Sequence, residues 1–175
     1  NLNNMENLKF DFVFLGQSVL KYQVPLDIFT TINQIYEQNF HNLAPANGQL
    51  VGKIENEHSL FYHGADQTKM KNHNMLPRNV TDYFMNIFKH YLAFNKIKDY
   101  ETHLNSIWVN EMKQHEYNPA HIHRGMLFTG LSSVMILKLP STYGKEYSAR
   151  HIPQNGKLQI LGASNGQFAK IDYQP

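Results

Sequence analysis

The chain has 175 residues, which is enough for one domain with a hydrophobic core and hardly enough for two. Hydrophobic residues make up 42% of it and charged residues 17%, a composition that excludes an intrinsically disordered chain. The formal net charge is +2, with Lys and Arg scattered along the sequence, so no basic stripe indicates a nucleic-acid partner.

Apolar runs and cysteine content narrow the class of protein further. The longest apolar runs, such as VMIL at residues 134–137, are far too short to span a bilayer, and the start shows no signal-peptide pattern. Because the chain has no cysteine, a metal would have to be held by His, Asp or Glu, a ligand set that suits iron, manganese, zinc or copper. The sequence therefore predicts a soluble protein without membrane contact, and we expect it in the cytoplasm.

The first predicted elements are strands followed by a helix. The opening LKFDFVFLGQSVLKYQVP mixes aromatic and β-branched residues, which predicts one or two strands ending at Pro25. In LDIFTTINQIYEQN, apolar side chains recur at helical spacing and predict a helix over residues 27–39, with Asp27 as its N-cap. A second apolar stripe predicts another helix, from the candidate cap Asn79 to about Lys96.

The rest of the chain is predicted to be mainly β-structure and loops. Residues 40–78 are expected to be mostly irregular, with short strands at QLVGKI and HSLFY. Later segments are short, β-rich and separated by turn residues: HLNSIWVNEM, AHIHRG, LSSVMILKLP, GKLQILGAS and FAKIDY. Helices followed by a run of strands predict a single α+β domain over residues 1–175, with the helices on one outer face of a sandwich or barrel.

The stretch AHIHRG contains the one pair of histidines with the spacing of metal ligands, His121 and His123. With ten histidines in the chain, about 0.6 such pairs are expected by chance, so two exposed histidines without a ligand are an open alternative. If residues 119–123 form a strand, however, both side chains project from the same face. Two imidazoles on one strand can occupy adjacent positions on a metal and leave its other side open for substrates.

The segment IWVNEMKQHEYNPAHIHRGMLFTGLSSVMILKLP, residues 107–140, resembles the core of the 2-oxoglutarate- and Fe(II)-dependent oxygenase superfamily. It resembles in particular a small prolyl-hydroxylase-like group of marine bacteria and phages. In that group a W-x-N strand leads through a polar turn to an H-x-H or H-x-D element, and a Ser-rich strand ending in Pro follows. The resemblance implies a double-stranded β-helix, or jelly roll, with the N-terminal helices packed on one sheet.

The same resemblance implies roles for individual residues. His121 matches the first Fe(II) ligand and His123 the second, where the superfamily more often has Asp. Asn110, beside Trp108 on the preceding strand, and Arg124 are the candidates for contact with 2-oxoglutarate. For Asn110 a structural role beside a buried aromatic side chain is the alternative, and for Arg124 a surface ion pair. The implied reaction is hydroxylation of a C–H bond in a small-molecule or peptidyl substrate.

The end of the chain departs from the family pattern. In the family, a distal His completes the metal site and an Arg pairs with the C5 carboxylate of 2-oxoglutarate, both on strands well after the H-x-H element. The one histidine after His123 is His151, and it precedes two further predicted strands. We therefore interpret the sequence as stopping before the strand with the distal His and Arg, and expect weak metal binding and little turnover from these 175 residues.

Other interpretations remain open. A cupin-like jelly-roll binding module would use the same fold without redox chemistry, and its histidines would bind zinc or nothing. A histidine-based hydrolase is disfavoured, since no nucleophile motif such as G-x-S-x-G accompanies the pair. If the last strands are missing, the sheet has an unpaired edge, which predicts a homodimer.

Overall fold

The computed structural model describes residues 8–14, 18–64, 70–123, 130–145, 154–164 and 167–173. These residues belong to two compact units. The first unit draws on residues 1–9 and 22–121, and the second on residues 10–21 and 122–175. All α-helices that the described residues form lie in the first unit.

The elements are, in chain order, β1 (Phe10–Phe14), β2 (Ser18–Tyr22), α1 (Leu26–Asn39), β3 (Asn56–Tyr62), α2 (Met70–His73), α3 (Arg78–Phe94), β4 (Ser106–Glu111), β5 (Leu158–Ser164) and β6 (Gln167–Tyr173). The strands pair two by two, β1 with β2, β3 with β4 and β5 with β6. Among the described residues these pairs do not join into a larger sheet, so the jelly roll stays a prediction.

Helices α1 and α3 confirm the two helices predicted from apolar periodicity, but both predicted N-caps are wrong. The capping positions are Pro25 and Pro77, both in extended conformation and without a side-chain hydrogen bond to the helix. Proline has a fixed φ that suits the entry to a helix, and its backbone carbonyl can still accept the first helical hydrogen bond. Asp27 lies in the first turn of α1 instead, where its negative charge favours the helix dipole. Asn79 lies likewise inside the first turn of α3.

The core of the first unit is formed by the apolar faces of α1 and α3 with side chains from β3 and the loops. Its buried hydrophobic residues are Ile28, Ile32, Leu43, Ile54, Leu60, Val80, Tyr83, Phe84, Ile87 and Leu92. Leu60 of β3 and Val80 of α3 have no exposed surface at all, so both the strand and the helix are stabilised by apolar burial. None of the helices in the described part of the chain is both long and apolar enough to cross a membrane.

Three of the predicted strands are wrong. The predicted strand QLVGKI, residues 49–54, is absent. Its first residue ends a 3-10 turn over Asn47–Gln49, and Lys53 forms a single β-bridge. Residues 119–123 have no regular secondary structure, and the last two residues of AHIHRG, 124 and 125, lie outside the described residues. Residues 131–140 are also irregular, although their sequence is rich in apolar residues. The other segments, including HSLFY and IWVNE, do form strands.

The second unit contains an antiparallel hairpin of β5 and β6, in register from Leu158 opposite Tyr173 to Ser164 opposite Gln167. The chain enters β5 through a turn with Gly156 at φ 68°, a conformation that favours glycine. Beside this glycine, the Asn155 side chain donates hydrogen bonds to the carbonyl oxygens of residues 143 and 145 at 3.0 and 3.1 Å. These bonds confirm the predicted turn before β5 and tie it to the preceding segment.

Candidate functional site

The β3–β4 hairpin has two different faces, because successive side chains of a strand point to opposite sides. One face carries His58, whose ring packs on Phe40 with 4.7 Å between ring centroids, and Glu111, which accepts a hydrogen bond from Tyr36 of α1. The other face carries Glu57, directly opposite Asn110 on β4. We call this second face, formed by Glu57, Ser59, Trp108 and Asn110, the polar face.

The loop after β4 folds back onto the segment before β3. Lys53 and Tyr117 form a bridge of two backbone hydrogen bonds, at 2.8 and 3.1 Å. The Glu116 carboxylate accepts hydrogen bonds from the backbone N–H of Glu55 at 2.9 Å and of Lys113 at 2.7 Å. These bonds lower the pKa of Glu116 below its usual value, because they favour its charged form. The loop that leads to His121 is therefore held against the start of β3.

A glycine makes this approach possible. A Cβ atom on Gly52 would collide with the backbone oxygen of Tyr117, and would lie 2.8 Å from Cα of Asn118 and 2.9 Å from Cδ of Pro119. Only a residue without a side chain allows the two backbones to come so close. The position of the loop before His121 thus depends directly on the identity of residue 52.

His121 is exposed, and its Nδ1 lies 2.7 Å from the carbonyl oxygen of Pro119. A carbonyl oxygen can only accept a hydrogen bond, so Nδ1 is the nitrogen that carries the proton. In the neutral ring, the lone pair is then on Nε2. Histidine ligands of metals show this same arrangement, in which the nitrogen away from the metal donates to a backbone carbonyl.

Glu57 is a buried carboxylate with an unsatisfied oxygen. Only 6% of the residue is exposed, and its Oε2 atom has no hydrogen-bond partner among the described residues. Burial raises the pKa of Glu57, because it disfavours the charged form, while His121 lies near enough to lower it again. A second buried oxygen without a partner in the described part of the chain, Asn118 Oδ1, lies three residues before His121. The first unit therefore contains two buried oxygen acceptors without a partner among the described residues.

The structure places the predicted site residues as follows. Asn110 and His121 belong to the first unit, and Asn110 lies on the polar face opposite Glu57. His123 belongs to the second unit, where it is exposed and irregular, next to Ile122 with 80% exposure. Arg124 lies outside the described residues. Since residues 119–123 are not a strand, the alternation that was expected to align the two histidines does not apply.

Glu57 is the residue of this site that the sequence did not suggest. It stands in ENE, which has the composition of a polar turn, and nothing in that stretch indicates a buried carboxylate. A weak signal was present, because β3 alternates and places Glu57 on the same face as the buried Ser59. Its burial becomes visible only in the folded structure, where the residue is 6% exposed.

Comparison with known proteins gives no relative from which the function of the site could be inferred. No known family model matches the chain, and neither does any curated protein or solved structure. Within the described ranges, no three His, Asp or Glu side chains come together as a group that could hold a metal ion.

Proposed function

We propose that this chain is part of a 2-oxoglutarate- and Fe(II)-dependent oxygenase of jelly-roll fold, with His121 and His123 as metal ligands. The observation that carries the proposal is the short contact between Nδ1 of His121 and the Pro119 carbonyl. This contact fixes the tautomer in which Nε2 can donate its lone pair to a metal. It occurs in the H-x-H element that resembles the iron-binding motif of that superfamily.

The donors near His121 suit a divalent cation of the iron or manganese type. An imidazole and oxygen atoms are the ligands that such cations take in proteins, and the chain has no thiol to favour a softer metal. Replacement of the usual second-ligand Asp by His123 removes one negative charge from the motif.

Fe(II), when bound, would supply the oxidation of a C–H bond by dioxygen with 2-oxoglutarate as co-substrate. The chain itself would hold the imidazoles in position. Asn110 would contribute an amide donor for a carboxylate or carbonyl group of a bound ligand, since it lies on the polar face beside Glu57. Arg124 is proposed, on the resemblance alone, as a second contact for 2-oxoglutarate.

The proposal also includes the substrate class, the partners and the location of the protein. A small molecule or a peptide segment is the expected substrate, and neither nucleic acid nor membrane is expected as a partner. A cytoplasmic location is proposed because the absence of cysteine suits a reducing compartment.

The test is isothermal titration of the protein with Fe(II) or Mn(II) under argon, with His121→Ala as the variant. We expect weak binding by wild type and at least tenfold weaker binding by the variant. His115→Asn is the matched control, because it removes an exposed imidazole from the same loop and places Asn at φ 66°, which Asn tolerates. If wild type and His121→Ala give the same titration, the proposed oxygenase site is refuted.

A further inference from the structure

Two histidines that are distant in sequence meet where the β3–β4 hairpin continues past the end of its strands. The backbone N–H of His63 donates to the carbonyl oxygen of Asn105 at 2.8 Å, so the two chain segments stay side by side beyond the pair Tyr62 and Ser106. Two residues before Asn105, His103 places its ring 5.8 Å from the ring of His63, measured between ring centroids. The fold thus brings two imidazoles together outside the H-x-H element.

Both rings are accessible to a ligand. The two residues are exposed, and the planes of their rings are tilted by 33°. Within the described part of the chain, neither ring makes a hydrogen bond or an ion pair except for the contact of His103 with Glu101. With metal–nitrogen bonds of about 2.0 Å, two imidazoles on one ion have ring centroids roughly 5 Å apart. Rotation of exposed side chains is enough to close the remaining difference.

Glu101 acts on the ring of His103. Its Oε1 atom lies 3.3 Å from Nε2 of His103. Because a carboxylate only accepts hydrogen bonds, this contact favours the neutral ring with its proton on Nε2 and its lone pair on Nδ1. Histidine ligands of metals commonly donate their other ring N–H to a carboxylate in this way, which fixes the tautomer and the orientation of the ring. Nδ1 is therefore the nitrogen with which His103 would bind a metal.

We propose that His63 and His103 bind one divalent cation of the zinc, nickel or copper type. Imidazole suits these metals, whereas Mg(II) and Mn(II) take carboxylate, carbonyl and water oxygens. The protein supplies two ligands and water the others, since no three His, Asp or Glu side chains of the described ranges form a group that could hold a metal ion. This site shares no residue with the H-x-H element and does not depend on the proposed function.

A cation at this position would join two points of the chain that are 40 residues apart in sequence, 63 and 103. β3 ends at Tyr62 and β4 begins at Ser106, and the chain between them contains α2 and α3. The link closes this helical segment at its base. Because the unfolded chain does not hold the two imidazoles together, the cation binds the folded state preferentially and stabilises it. The site is therefore a structural clamp on the segment between the two strands.

The experiment is titration of the whole chain with Zn(II), followed by nuclear magnetic resonance of the histidine ring nitrogens and by calorimetry. We expect the ring signals of His63 and His103 to shift together, with His103 bound through Nδ1. His63→Asn and His103→Asn should each bind Zn(II) at this site at least tenfold more weakly than wild type. His115→Asn is the matched control, because it removes another exposed imidazole and should leave these shifts and the affinity unchanged.

Melting curves separate a clamp from histidines that merely support the fold. Without metal, both variants should melt like wild type, because the substituted side chains are exposed. With Zn(II), wild type and His115→Asn should gain in melting temperature, and His63→Asn and His103→Asn should not.

Three results would overturn this proposal. The first is a Zn(II) titration in which other histidine rings shift and those of His63 and His103 do not. The second is an equal Zn(II) affinity of wild type and His63→Asn, and the third is binding of His103 through Nε2. His121→Ala should show the same shifts of His63 and His103 as wild type, so a failure of the oxygenase site and a failure of this clamp are distinguishable.

Discussion

Two apolar segments of this chain have similar composition, but only one of them forms a strand. HSLFY lies in β3, where Leu60 is completely buried and the backbone is hydrogen-bonded both to β4 and to residues 44–46. LSSVMILKLP forms neither strand nor helix, and Val134 in it is 64% exposed. β-branched and aromatic composition favours a strand in both cases. The difference shows that such composition produces a strand only where another backbone segment is in place to pair with it.

The comparison is tested most strongly by the same substitution in both segments. Leu60→Ala removes a side chain with no exposed surface and should lower the free energy of unfolding by about 2–5 kcal/mol through the cavity that it leaves. Leu131→Ala removes one that is 40% exposed and should cost less than about 1 kcal/mol. Urea unfolding followed by far-ultraviolet circular dichroism measures both, and equal losses would show that residues 131–140 are buried as deeply as β3.

The second prediction concerns the loop that packs against the start of β3. Gly52→Ala introduces a Cβ that collides with the backbone of residues 117–119, and should destabilise the protein by about 1–3 kcal/mol. It should also weaken Mn(II) binding, because the loop positions His121. Gly48→Ala is the control, since nothing lies within 4 Å of the added atom. Should Gly52→Ala behave like Gly48→Ala in both measurements, the loop does not need this close approach.

The third prediction concerns the pH dependence of stability that arises from His58 of β3. Burial lowers the pKa of His58 below its ordinary value of 6.5, so the unfolded chain binds more protons than the folded one as the pH falls through that value. Stability should therefore decrease as the pH falls through the ordinary pKa of histidine, because the folded protein resists the protonation of His58. His58→Phe keeps the contact with Phe40 and should flatten this dependence. A pH profile identical to that of wild type would contradict the assignment.

The fourth prediction concerns association and has the smallest effect on stability. The exposed apolar residues of segment 131–140, which include Val134, Ile136 and Leu139, suit contact with a second copy of the chain. We expect sedimentation velocity to show a dimer whose fraction rises with concentration. Val134→Lys should reduce that fraction and change the unfolding free energy by less than about 0.5 kcal/mol. A monomer at every concentration would contradict the predicted homodimer.

The sequence predicts those parts of the fold that depend on local periodicity. The apolar stripes of α1 and α3 are strong, and both helices are found within two residues of their predicted boundaries. The predicted N-caps, Asp27 and Asn79, are wrong. Their side chains commonly cap helices, but a proline precedes each helix and its carbonyl accepts the first helical hydrogen bond. Strands are predicted less well, because pairing partners are distant in sequence.

The candidate site could be predicted only in part for the same reason. His121 is recognisable from the H-x-H pattern and its neighbours in the sequence. Glu57 is not, because its stretch ENE has the composition of a polar turn, whereas the folded chain buries this carboxyl group. Asn118 is hidden in the same way, since nothing about an Asn before a Pro indicates a buried oxygen.

The Glu116 carboxylate has a consequence for how acid would act on this molecule. Two backbone N–H groups hold the pKa of this side chain below 4.5. The carboxylate therefore keeps its charge, and its hydrogen bonds to residues 55 and 113, through mild acidification. Detachment of the loop from the start of β3 by acid therefore requires a lower pH than the protonation of an ordinary glutamate.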